Sequence, residues 1–184
     1  PRVRRQRQMC IRDRAKAYMN HGVKPEKKSY SFVVVPAADE AKMKDVADRQ
    51  TKGELFSVVE MQDSLHIIKY APKNVLAYSF FTPAKGLTAG EVVSSATELL
   101  LIEQKNTDGS LSLGMANPNL RPKMLDKKNW KEIPTPAFIE LKGIWQMDGN
   151  VPGVFLKTME NGNTEVSCLL RNGLPVYMKL VKQK

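Results

Sequence analysis

Two cysteines in 184 residues, Cys10 and Cys168, cannot build the disulfide framework of a small secreted scaffold. The only histidines are His21 and His66, so no set of zinc ligands in compatible spacing can be written, and no metal or cofactor is expected. No run of about 18 apolar residues occurs, which excludes a membrane-crossing helix. A glycine-rich loop between a strand-like and a helix-like segment is also missing, so nucleotide binding has no support. Glycine and proline, eleven each, sit near average usage and exclude a collagen-like or low-complexity polymer. What remains is 42% apolar and 26% charged, the profile of a folded globular chain.

One sign of charge dominates. The net charge is +10, and residues 1–14 contribute half of it through six arginines against the single acid Asp13. A basic arm of this kind would ordinarily point to a polyanion such as nucleic acid. However, Met9-Cys10-Ile11-Arg12-Asp13 back-translates as ATG TGT ATA AGA GAC, which resembles a sequencing adapter read in frame. Residues 1–14 are therefore set aside as a scar, and the nucleic-acid reading goes with them. The gene-derived chain is expected to begin near Ala15, in mid-gene.

Beyond that point short apolar alternations dominate. Tyr30, Phe32 and Val34 alternate up to Pro36. Ala38 to Arg49 reads as the one helix, with Asp39 as cap, a narrow stripe of Met43, Val46 and Ala47, and Gly53 beyond its end. Strands are expected over Leu55 to Glu60, Leu65 to Ala71, Val75 to Thr82, Leu99 to Lys105 and Ser110 to Ala116. Asn106-Thr107-Asp108-Gly109 marks a hairpin turn, because Asp-Gly tolerates positive φ. Asn117 to Pro136 reads as an ordered loop. The closing meander covers Phe138 to Lys142, Val154 to Met159, Thr164 to Leu170 and Val176 to Val181, with Asn161-Gly162 and Asn172-Gly173 at its last turns. Such spacing predicts an all-β chain: an antiparallel β-sandwich preceded by an edge piece of a larger sandwich and one short connecting helix. Strand alternation points to a core of Phe56, Val58, Ile67, Leu76, Tyr78, Phe80, Leu100, Ile102, Leu113, Ile139, Leu141, Phe155, Val166, Leu169, Tyr177 and Leu180.

Candidate chemistry is sparse. His66 lies on a strand and reads as a surface or half-buried residue, and Cys168 inside Val166 to Leu170 as a small core residue. Trp145 reads as core. Lys127, Lys128 and Trp130 form the one plausible sugar contact: a ring beside cations can stack on a pyranose and hold its anionic substituent. Anchoring of the loop by the indole is the plainer alternative. No catalytic residue can be named.

The segment His21-Gly22-Val23-Lys24-Pro25 followed by Ser29-Tyr30-Ser31-Phe32-Val33-Val34-Val35-Pro36 resembles a stretch in polysaccharide lyases of family eight, which include chondroitin, hyaluronate and xanthan lyases. Leu111-Ser112-Leu113-Gly114-Met115-Ala116-Asn117-Pro118 resembles that family's C-terminal hairpin. The resemblance implies that residues 15–50 close a central β-sandwich and connect by a helix, and that residues 51–184 are the C-terminal β-sandwich domain. It further implies a periplasmic or secreted parent that cleaves glycosaminoglycans of the chondroitin or hyaluronan type by β-elimination. The family's asparagine, histidine, tyrosine and arginine act from an α/α toroid, and no position here matches them. This chain is thus expected to be structural or accessory, with an acidic polysaccharide and the absent toroid and central domains as its partners. The competing expectation is a self-standing carbohydrate-binding or adhesion sandwich.

Overall fold

The computed structural model describes residues 22–24, 26, 32–117, 125–126, 129–130, 134–171 and 173–183. The chain divides into two compact units, Pro1–Asp39 and Glu40–Lys184. In the first, Phe32, Val33 and Val34 are exposed and residues 32–35 take no regular structure, although their alternation is strand-like. Alternation alone does not make a strand; a hydrogen-bonded neighbour does. Residues 1–14 and His21 lie outside the described residues.

The second unit opens with α1 (Glu40–Thr51), two residues later at each end than the sequence suggests. None of its residues is buried. Its last turn is held instead by Gln50, whose amide brackets the next strand: Nε2 donates to the Phe56 carbonyl at 2.8 Å and Oε1 accepts the Phe56 N–H at 3.0 Å.

Fourteen strands follow among the described residues: β1 (Phe56–Gln62), β2 (Leu65–Tyr70), β3 (Val75–Phe80), β4 (Ala84–Lys85), β5 (Val92–Ser95), β6 (Leu99–Lys105), β7 (Leu111–Ala116), β8 (Leu125–Asp126), β9 (Asn129–Trp130), β10 (Thr135–Leu141), β11 (Trp145–Met147), β12 (Val154–Thr158), β13 (Thr164–Leu170) and β14 (Val176–Lys182). One sheet has the order β1-β2-β3-β6-β7-β14-β11 and the other β12-β13-β10-β5-β4, while β8 and β9 form a small hairpin. Every described pairing is antiparallel. The turn between β6 and β7 forms at Asp108-Gly109 as expected: Gly109 takes φ 81°, and the Asp108 carboxylate accepts the Ser110 N–H at 2.9 Å.

The inner faces of the two sheets meet in one core. Ile67, Tyr78, Leu101, Leu113 and Leu180 come from the larger sheet, and Val92, Ile139, Leu141, Val166 and Leu170 from the smaller. A fully buried aliphatic side chain contributes ~1.5–3 kcal/mol, so this layer is the main stabilising element of the unit. Thr164 helps join the sheets at one end. Its hydroxyl donates to the Gly143 carbonyl at 2.8 Å and accepts the Trp145 N–H at 2.9 Å.

Several expected core positions face the other way. Val58, Leu100, Ile102, Phe155, Leu169 and Tyr177 are exposed, and Phe56 is half-buried. In four of these strands a neighbour of opposite parity is inside: Leu99 and Leu101 in β6, Val154 in β12, Cys168 and Leu170 in β13, Met178 and Leu180 in β14. Where both faces of a strand are apolar, composition cannot choose between them, and a one-residue difference reverses every side chain. Val58 stands at a register break in β1 and on the outer face. The expected loop over Asn117 to Pro136 lies mostly outside the described residues, and its end, Thr135-Pro136, already belongs to β10. The short β4, β5 and β11 were not legible, nor were β8 and β9, which lie within the expected loop.

Candidate functional site

The most concentrated polar cluster among the described residues begins with a carboxylate in an apolar position. Strand β6 turns Leu99, Leu101 and Glu103 inward, and Glu103 is only 3% exposed. A buried carboxylate must be matched by donors, or its desolvation would exclude the charge. Three donors converge on it. The Tyr78 hydroxyl donates to Oε2 at 2.8 Å, the Glu91 N–H to Oε1 at 2.8 Å, and the Val92 N–H to Oε2 at 3.4 Å. Gly90 makes the approach possible. A Cβ there would stand 2.5 Å from both carboxylate oxygens and 2.6 Å from the tyrosine hydroxyl.

Above this cluster lies an open depression of about 240 Å³ lined by Asn74, Leu76, Ala89, Gly90, Glu91, Glu103 and Lys105. Its rim is an ion cluster: Glu91 pairs with Lys105 at 2.8 Å and with Lys182 at 3.7 Å. Burial pushes the Glu91 carboxyl up, but the Lys105 and Lys182 ammoniums outweigh it and hold the group below its usual range. Lys105 is correspondingly raised, first by its hydrogen bond to Glu91. Burial, then the charges and hydrogen bond of Glu103 and Glu91, push the Tyr78 phenol far up.

β-Elimination next to a carboxylate needs a base, a charge neutraliser and a leaving-group acid that all reach one sugar. Tyr78 is 1% exposed and donates to Glu103, so it offers neither a reachable proton nor a phenolate. Lys105 is engaged with Glu91. The arrangement can clamp the segment carrying Gly90 and Glu91 onto the sheet; it cannot perform this chemistry. A second cluster lies on the outer face of the smaller sheet. There Glu140 accepts from Asn163 at 2.6 Å, Asn161 at 2.8 Å and Ser94 at 3.1 Å, and the hydrogen bonds from Asn163 and Asn161 lower its pKa. No group of His, Cys, Asp and Glu able to hold a metal is present among the described residues.

Of the expected sugar contacts, Lys127 and Lys128 lie outside the described residues. For Trp130 only the backbone is described, in β9 opposite Leu125. His66 is half-buried, edge-on to Phe81 with ring centroids 5.0 Å apart. Cys168 is a buried free cysteine whose thiol burial pushes up to about 11. Trp145 is buried, its indole N–H donating to the Lys142 carbonyl at 3.0 Å and its ring lying 5.2 Å from the Lys182 ammonium. The Tyr78–Glu103 pair was missed by the sequence reading. Its one trace is a carboxylate two residues after Leu101, on the same parity as the buried leucines.

No protein-family model matches the chain. Two curated relatives do. Chondroitin sulfate ABC exolyase of Proteus vulgaris is 24% identical over 78% of this chain and 16% of its own length. Chondroitin sulfate ABC endolyase of the same organism is 24% identical over 89% of this chain and 16% of its own. The chain is related to polysaccharide lyases. Solved lyase structures share the fold. Paenibacillus xanthan lyase superposes with a TM-score of 0.55 at 14% identity, over 77% of this chain and 12% of that one. Streptomyces coelicolor A3 chondroitin AC lyase, in complex with chondroitin sulphate, gives 0.53 at 11% identity, over 80% and 17%. This lyase-related chain thus spans about a sixth of the length of the curated relatives it matches.

Proposed function

We propose that the chain is the C-terminal portion of a bacterial polysaccharide lyase, periplasmic or secreted. The parent would depolymerise uronic-acid-containing glycosaminoglycans of the chondroitin or hyaluronan type by β-elimination. In this reading residues 15–50 end the central sandwich and connect to it, residues 51–184 are the C-terminal sandwich, and the role of the segment is structural or accessory. The observation that carries the proposal is the alignment of most of this chain with only a sixth of two chondroitin sulfate lyases. The Tyr78–Glu103–Glu91–Lys105 cluster supports the accessory role, because its polar groups are engaged with one another.

The test is to incubate the purified chain with chondroitin sulfate or hyaluronan and follow the ultraviolet absorbance of unsaturated uronides. No product is expected. Sustained product that disappears on His21→Ala or Tyr70→Phe would overturn the accessory role. Sequencing the gene upstream of the Ala15 codon tests the parentage: an in-frame helical toroid is expected, and its absence would sink the lyase-fragment reading. Any weak affinity for the polysaccharide through Lys127, Lys128 and Trp130 should fade as salt is added.

A further inference from the structure

The turn between β12 and β13 carries Glu160-Asn161-Gly162-Asn163. Asparagine before glycine is a chemically fragile pair, because no side chain on the glycine shields its nitrogen. Once that nitrogen loses its proton to a solvent base, it can attack Cγ of the asparagine. The N–Cγ bond forms, the Cγ–Nδ2 bond breaks, and ammonia leaves with a proton taken from water. Water then opens the cyclic imide at either carbonyl. The product is aspartate, or the isomer that carries Cβ in the main chain.

Here both reacting groups are held. Gly162, at φ 77°, donates its N–H to the Met159 carbonyl at 3.1 Å. The Asn161 amide is pinned at both ends. Its Nδ2 donates to Oε1 of Glu140 at 2.8 Å, and its Oδ1 accepts the Asn163 N–H at 3.1 Å. The second bond taken alone would favour attack, since it polarises the carbonyl. Access would favour it too: Asn161 and Gly162 are exposed, and nothing stands within 4 Å of a Cβ placed on Gly162. What opposes the reaction is orientation, and orientation depends on Glu140 from β10. That carboxylate is fixed in turn by Asn163 at 2.6 Å and Ser94 at 3.1 Å. The hydrogen bonds from Asn163 and Asn161 hold its pKa below the usual carboxylate range, so it is an anion at neutral pH.

We propose that Asn161 is a spontaneous deamidation site gated by Glu140, and that conversion itself breaks the gate. Loss of ammonia puts a carboxylate oxygen where Nδ2 stands, 2.8 Å from Oε1 of Glu140. A donor becomes a like charge, and the β12–β13 turn is driven off β10. The inference rests on this turn alone and is independent of the lyase reading.

The experiment incubates the 184-residue chain at mildly alkaline pH and reads amide-to-acid conversion at Asn161 by peptide mapping with mass spectrometry. The chain unfolded in guanidinium chloride sets the ungated rate, and this comparison needs no variant. The folded chain should convert at least about tenfold more slowly, the barrier equivalent of one hydrogen bond to a charged group. Glu140→Ala should recover about that factor in the folded state. Glu140→Gln, which keeps a carbonyl oxygen as acceptor, should stay near the unsubstituted chain. Leu101→Ala weakens the core without touching the turn and should also stay near it, while circular dichroism checks that every variant is folded. Asn161→Asp should lower the midpoint of urea unfolding. A folded chain that converts at the unfolded rate overturns the gating, as does Glu140→Ala with no acceleration. Equal acceleration by Leu101→Ala overturns it as well, because general loosening would then be the cause. An unchanged midpoint for Asn161→Asp overturns the proposed effect of conversion.

Discussion

Gly90→Ala isolates the buried carboxylate. Gly90 lies outside the left-handed region, so the substitution carries no backbone penalty and its cost is steric. The new methyl would stand 2.5 Å from both oxygens of Glu103 and 2.6 Å from the hydroxyl of Tyr78. Ordinary contact requires the carboxylate to retreat by about 1 Å. It cannot do so and keep both 2.8 Å bonds, from the Tyr78 hydroxyl and the Glu91 N–H. Hydrogen bonds to a charged group contribute ~1.5–3 kcal/mol each, and a buried donor left without its acceptor loses its hydration as well. Partial loss of two such bonds puts the cost at ~2–4 kcal/mol, a large share of the ~5–15 kcal/mol that stabilises a typical domain. Urea unfolding should show a lower midpoint at an unchanged slope. The decisive control is a cycle with Glu103→Ala. That change is itself destabilising, but it removes the atoms the methyl strikes, so Gly90→Ala should cost little in its presence and the coupling should be ~2 kcal/mol. A Gly90→Ala variant within about 0.5 kcal/mol of the parent, or additive effects in the cycle, would refute this account of the cluster.

Neighbouring positions on β6 should behave oppositely: Leu101→Ala should cost ~2–5 kcal/mol and Ile102→Ala less than about 1 kcal/mol, measured by the same unfolding curves. Lys105→Met should destabilise at neutral pH and cost progressively less in acid. The folded Glu91 carboxyl is depressed, so its contribution is present above the ordinary carboxylate pKa of about 4.3 and is lost as pH falls through the folded value. Unfolding of both chains across that range checks the sign; a deficit that grows in acid would contradict it. In a Cys10→Ser background, Cys168 should resist a thiol reagent at mildly alkaline pH until the chain is unfolded, because burial holds the thiol protonated up to about 11.

The all-β architecture was legible because it rests on local chemistry. Asp108-Gly109 permits its turn without reference to the rest of the chain, and Leu99–Lys105 and Thr164–Leu170 form strands with the bounds that their composition suggests. The lyase resemblance was legible for a similar reason, since short motifs such as Leu111 to Pro118 are read in linear order. Which face of each strand turns inward was not. In β6 a polar residue at position 103 argues for solvent on that parity, which would bury Leu100 and Ile102. The fold does the reverse, because Tyr78 from β3 and the Glu91 and Val92 amides, 11 to 25 residues away in sequence, supply the donors that let Glu103 sit inside. Sequence alone therefore determined the longer strands, the turn at Asp108-Gly109 and the kinship. The choice of inner face, the Glu103 cluster and the exposure of Leu100 and Ile102 were decided only in three dimensions. Burial of a charge and exposure of a hydrophobe both depend on partners that adjacent residues cannot provide.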